Sequence, residues 1–213
     1  MKNLFLLIAA ACVAVVGNQT YAQTKTRVGI TAGVNYTTLG TAISSGISFK
    51  YDYRAGFQGG VYAEQPLSED ITFTPQIIFS QKGGNINTTI SGITLKGTTQ
   101  TNYLDIPLLF DFKMKSGISL FAGPQVSLLL SQTSTANASS PSGGSSSGSS
   151  SSTDGFRKTL FGGNLGIGYK FTDNINAKLH YLIDLQHTFD GSAGASDDGE
   201  KNSGFALTLG YSF

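Results

Sequence analysis

Residues able to do chemistry gather in one segment, "INAKLHYLIDL", Ile175 to Leu185, where His180 and Asp184 share a side and Lys178 stands beside them. An imidazole, a carboxylate and an amine are the parts of a general acid–base set. Their spacing argues against one. Residues four apart on a strand lie about 13 Å apart along it, too far to hydrogen-bond directly, so partners must come from neighbouring strands. Arg54, Glu64, Asp105, Asp111 and Lys170 are the charges placed on the same inner side by the patterning described below. Buried charges are costly unless paired, so the expected arrangement is a plug of ion pairs and amide hydrogen bonds, with no catalytic residue.

Other chemistries find less support. The two histidines, His180 and His187, come with a single cysteine, Cys12, and no H-E-x-x-H, so a transition-metal site is not expected. Asp190, Asp197, Asp198 and Glu200 could hold a hard cation through oxygen ligands, but they lack the EF-hand spacing, and a solvated acidic loop is the favoured reading. The glycines of "GGNLGIGYKF" sit within an alternating run that no helix follows, so they read as space between packed strands rather than a nucleotide loop. No cofactor is expected. A formal net charge of +1 offers no basic face for nucleic acid.

These side chains must be carried by strands, because the dominant pattern is alternation with period two. It recurs about eight times. Val28, Ile30, Ala32, Val34 and Tyr36 alternate with Gly29, Thr31, Gly33 and Asn35, and Phe57, Val61 and Ala63 oppose Gln58, Gly60, Tyr62 and Glu64. Ile71, Phe73, Ile77 and Phe79 share a face, as do Leu104, Ile106, Leu108, Phe110 and Phe112. So do Leu120, Val126, Leu128 and Leu130, then Phe161, Leu165, Ile167, Tyr169 and Phe171. The last run, "FALTLGYSF", keeps the alternation to Phe213.

Alternation alone suits a soluble sandwich or a membrane barrel, since each needs one apolar face per strand. The other face decides between them. It is mainly Gly, Ser, Thr, Asn and Gln, and charged residues are only 13% of the chain against roughly 25% in soluble domains. Small polar residues suit the inside of a narrow eight-stranded barrel, which leaves the apolar face looking into lipid. The fold class expected is therefore all-β: a closed, antiparallel, up-and-down eight-stranded transmembrane barrel. Its connections alternate: "QPLSED", "KMKSG" and "TDN" are short, whereas the segments near 37–52, 83–98, 131–156 and 187–202 are long. Such asymmetry matches short periplasmic turns and long outer loops, with Tyr36, Phe112, Tyr169, Phe171, Tyr211 and Phe213 as aromatic girdles. Pro75, Pro107 and Pro124 fall inside proposed strands, where bulges or local breaks in pairing are expected.

Residues 1–22 read as a signal peptide, with Lys2 before an apolar run and small residues Thr20 and Ala22 at the cleavage site. An acylated Cys12 is the less favoured alternative. Residues 23–213 then form one barrel domain, in which the Ser/Gly-rich stretch 131–156 is expected to be a mobile loop. The final strand should pair with the first, because an open edge in hydrocarbon leaves backbone groups unsatisfied.

The segments "GFQGGVYAEQPLSEDITFTPQIIFSQKGG", "YLDIPLLFDFK", "SLFAGPQVSLLL", "LGIGYKFTDNINAKLHYLIDL" and "GYSF" resemble the PorT-type outer-membrane β-barrel family of Bacteroidota. The resemblance spans most of residues 23–213 but not 37–52 or 131–156. It implies an eight-stranded barrel in the cell outer membrane and a link to secretion in the member that names the family. It also implies that Phe213 helps signal to the barrel-assembly machinery, as terminal aromatics do in outer-membrane proteins. The expected function is a non-enzymatic, porin-like barrel with a filled bore and little conductance. Its role would be structural, surface-interacting or secretion-associated, and its partners outer-membrane lipid and a surface or secretion component. A membrane-embedded enzyme acting on lipid or peptide, and a soluble periplasmic barrel holding an apolar ligand, are the alternatives.

Overall fold

The structure, a computed structural model, describes residues 25–44, 47–90, 92–141, 143–189 and 200–213. Residues 1–22, expected to be a signal peptide, with Cys12, and the acidic residues Asp190, Asp197 and Asp198 lie outside them. The strands are β1 (Arg27–Ser44), β2 (Ile47–Lys50), β3 (Asp52–Pro66), β4 (Ile71–Ile90), β5 (Ile93–Lys113) and β6 (Ile118–Ser139). They continue as β7 (Ser145–Ser150), β8 (Thr159–Lys170), β9 (Ile175–Asp184) and β10 (Glu200–Ser212). Among the described residues no helix is long and apolar enough to cross a membrane.

Eight of these strands form a ring in the order β1, β3, β4, β5, β6, β8, β9, β10, every neighbour antiparallel. The ring closes because β10 also pairs with β1, from Gly29 opposite Ser212 to Thr38 opposite Ser203. Phe213 extends this seam, its N–H donating to the Val28 carbonyl at 2.9 Å. Closure leaves no edge in the ring for hydrocarbon to meet.

Side chains partition by the pleat as the alternation requires. Val28, Ile30, Val34, Phe57, Val61, Leu165, Ile167, Leu207 and Leu209 are each at least half exposed on the outside. Inside lie buried Asn35, Gln58, Asp105, Gln125, Asn164 and Thr208. Aromatic pairs mark both rims: Tyr36 stacks on Tyr53 at 4.9 Å, while Tyr169–Phe171 and Tyr211–Phe213 meet edge-on at 5.0 and 5.4 Å. Glycine makes room for close strand approach, as at Gly123, where an added Cβ would lie 2.0 Å from the Leu108 carbonyl oxygen.

The prolines break pairing without shifting register. Pairs are missing between Pro75–Leu108 and Ile78–Asp105, and between Pro107–Gln125 and Phe110–Ala122, yet the residue count across each gap is equal on both strands. The irregularities of register fall elsewhere, at Thr38/Gly40, Tyr53/Gln58 and Asn102/Tyr103.

The strands at the long-loop end differ most from the sequence expectation. Segment 83–98 is not a loop: β4 and β5 continue as a hairpin to Ile90 and Ile93. β6 stays paired with β5 up to Ser139, and β7, Ser145–Ser150, pairs with β6 inside the stretch read as a Ser/Gly-rich loop. β1 likewise runs on to Ser44 and pairs with β2. The outward side there is mostly Thr, Ser and Asn and the few apolar residues of β4–β6 change to the inner side, so the apolar column of the ring strands is interrupted while the backbone ladder goes on.

Candidate functional site

Among the described residues the largest gathering of titratable groups is in the bore, which alternate residues of all eight ring strands face. At its outer part Lys82 of β4 is fully buried, with Nζ 3.1 Å from Asp105 of β5, 3.8 Å from Asp184 of β9 and 3.3 Å from the Ser127 hydroxyl of β6. The same ammonium stands 5.1 Å over the Tyr103 ring. Asp184 accepts a further bond from the Asn202 amide at 2.9 Å, and Asn202 also donates to Thr188 at 3.3 Å. One cation between two carboxylates is thus enclosed by neutral donors.

A second layer lies toward the short turns. Lys178 of β9 pairs with Asp111 of β5 at 2.7 Å and lies 4.8 Å over the Phe121 ring. Between the layers His180 is edge-on to Phe121 at 5.8 Å, and its Nε2 is 3.4 Å from the Gln58 amide nitrogen. Asn164 donates to Gln125 at 2.7 Å, and Gln125 to Ser127 at 3.0 Å. Nearest the periplasmic rim the Tyr62 and Ser212 hydroxyls meet at 2.8 Å, with the Asn176 amide 3.1 Å from the Tyr62 oxygen. These side chains leave a cavity of about 20 Å³ beside His180 and Lys178, room for about one water molecule.

The expected plug is present with a changed membership. Asp105, Asp111, Lys178 and Asp184 enter ion pairs within it. His180 and Asp184 are not joined: one meets Gln58, the other Lys82 and Asn202. Lys170 is a correction, because it is an exposed rim residue paired with Asp173 at 3.5 Å rather than a bore group. Arg54 is another, since the amide oxygens it donates to, those of Gln81 and Gln100, are on the outward side of β4 and β5 rather than in the bore. Glu64 stands at the periplasmic end, opposite Arg27 in register. Lys82, the centre of the larger cluster, was missed because the alternating run was ended at Gln81. Carrying the inward column Ile78, Ser80 one step further reaches it.

At the long-loop end the buried Tyr51, packed against Gly84 on the inward side of β4, donates its hydroxyl to Glu200 at 3.0 Å. Burial raises the Glu200 carboxyl above its ordinary range, and burial together with the Glu200 charge raises the Tyr51 phenol. Among the described residues no group of three His, Cys, Asp or Glu could hold a metal ion.

The family model for the outer membrane protein beta-barrel domain matches residues 21–190. The chain belongs to this outer-membrane β-barrel family. It is accordingly an integral outer-membrane barrel, and the soluble periplasmic reading is set aside. Among solved structures it is similar to Ail, the attachment invasion locus protein of Yersinia pestis, at 15% identity and a TM-score of 0.49, covering 89% of this chain and 100% of that one. Neisserial surface protein A is similar at 15% identity and a TM-score of 0.45, with the same coverage. Among curated proteins none matches the chain.

Proposed function

We propose that this barrel is neither an enzyme nor a channel but a closed membrane anchor that holds a β-sheet platform at the cell surface. The observation carrying the reading is the pair of occluding layers in the bore, Lys82–Asp105–Asp184 and Lys178–Asp111, set beneath a β4–β5–β6 sheet that continues beyond the apolar belt. An ion entering such a bore must displace paired charges, and among the described residues the polar partner at His180 is the Gln58 amide rather than a carboxylate that would orient it for acid–base work. The likeness of the quoted segments to PorT-type proteins of Bacteroidota supports a secretion-associated version of the role. Export through residues 1–22 and recognition of Phe213 by the assembly machinery belong to the same proposal.

Planar-bilayer recordings of the purified barrel test it. The wild type should give no stepwise conductance, and neither a lipid nor a peptide substrate should turn over. Steady single-channel steps, or hydrolysis lost in His180→Ala, would overturn the reading. Co-purification in mild detergent with a secretion component would favour the secretion role over a stand-alone one.

A further inference from the structure

Polarity inverts along the same strands where they leave the membrane. Phe79 and Leu104 form an outward apolar pair, and the next outward row on β4, β5 and β6 is Gln81, Asn102 and Ser131. Above it come Gly83, Gln100 and Thr133, then Asn85, Thr98 and Thr135, then Asn87, Lys96 and Asn137. The opposite side of the sheet, facing the axis, turns apolar with Ile86, Leu95, Ala136 and Ala138. From Gln81 to Thr89 the rows extend about 27 Å along the strands.

We infer that this outward face binds the sugar headgroups of glycolipid in the outer leaflet. Its place argues for a lipid-borne ligand: the face continues the lipid-facing wall of β4–β6 and starts one row above its apolar residues. Its chemistry argues for sugar. Carboxamides and hydroxyls both donate and accept, as sugar hydroxyls do, whereas a site built for phosphate would present Arg or Lys to it; Lys96 is the single charge in these four rows, and the neighbouring Arg54 guanidinium of β3 donates to the Gln81 and Gln100 amide oxygens. The array is held in place from within, by Gln81 to Asn102 at 3.3 Å, Asn102 to Ser131 at 2.8 Å and Thr98 to Asn85 at 3.0 Å. Gln81, Asn102 and Asn85 each donate one bond and accept one; a carboxamide offers two donors and two acceptor lone pairs, so about half of that capacity is left for a ligand. A groove of about 320 Å³ runs along the two upper rows.

The inference rests on the outer-membrane orientation but not on the bore being closed. Its test uses the full-length barrel reconstituted in three vesicles: phospholipid alone, phospholipid with lipopolysaccharide bearing its core oligosaccharide, and phospholipid with the same lipid trimmed to its phosphorylated diglucosamine anchor. Lipid retained after detergent gel filtration is measured, and heat-modifiable gel migration reports folding independently. The sugar-bearing lipid should be retained about tenfold more than the trimmed one. The triple variant N87A/N137A/T98A should lose that difference while staying folded. Should it not fold, the single changes N137A and T135A, at exposed positions, replace it. Equal retention of the two glycolipids, or an unchanged preference in folded variants, would overturn the inference. Free core oligosaccharide competing as well as the lipid-borne form would overturn the commitment to a membrane ligand.

Discussion

Lys82 shows how much one side chain carries in this barrel. Its ammonium, fully buried, is the cation shared by Asp105 and Asp184, so Lys82→Met would leave two carboxylates enclosed without a counter-charge. Breaking a buried pair in this way costs about 3–5 kcal/mol. Urea unfolding in detergent should show that loss for Lys82→Met and recover most of it when Asp105→Asn and Asp184→Asn are added; a single variant as stable as wild type would refute the pairing. Gly123 makes a steric counterpart. Val at this position would drive its Cβ into the Leu108 backbone, whereas Gly163→Ala, whose nearest atom is 3.6 Å away, should be tolerated. Gel migration should show Gly123→Val unfolded and Gly163→Ala folded. Charges within alternating runs, such as Asp105, Asp111 and Lys178, were legible from parity alone. Lys82, Arg54 and Lys170 were not, because they sit where a run ends and parity says nothing about whether the strand goes on.

At the scale of elements, the ring strands were readable because lipid imposes a strict apolar column on each one. The extensions were not. Beyond the apolar belt, β4–β5 and β6–β7 have polar residues on the outward side, and serine and threonine there look like any loop. What holds them is cross-strand pairing, with support such as Thr89 to Thr94 at 3.1 Å and Thr133 to Ser151 at 3.3 Å. β7 pairs with β6 and is exposed along its length, so it adds little to the barrel. Replacing Ser145–Ser150 by glycines should leave the unfolding midpoint within about 0.5 kcal/mol of wild type. A collapse of heat-modifiable migration would show instead that β7 braces the ring. The prolines point the same way: gaps in pairing at Pro75 and Pro107 keep register because the neighbouring pairs on both sides hold it.

The whole molecule is an inverted protein across its lower half, apolar outside and ion-paired within, and an ordinary one above, where the outward side is polar. That inversion was only half visible in the sequence: the lower half has a period and a composition, the upper half a composition alone. The absence of tryptophan, with Trp 0 in the chain, permits a direct probe of it. Single-tryptophan variants Leu165→Trp and Leu209→Trp, at outward positions 65% and 61% exposed, and Thr135→Trp on the upper sheet, can be reconstituted in vesicles with brominated acyl chains. Fluorescence of the first two should be strongly quenched relative to unbrominated vesicles, and that of Thr135→Trp hardly changed. Equal, unquenched emission from Leu165→Trp and Leu209→Trp would mean that the apolar face does not meet lipid.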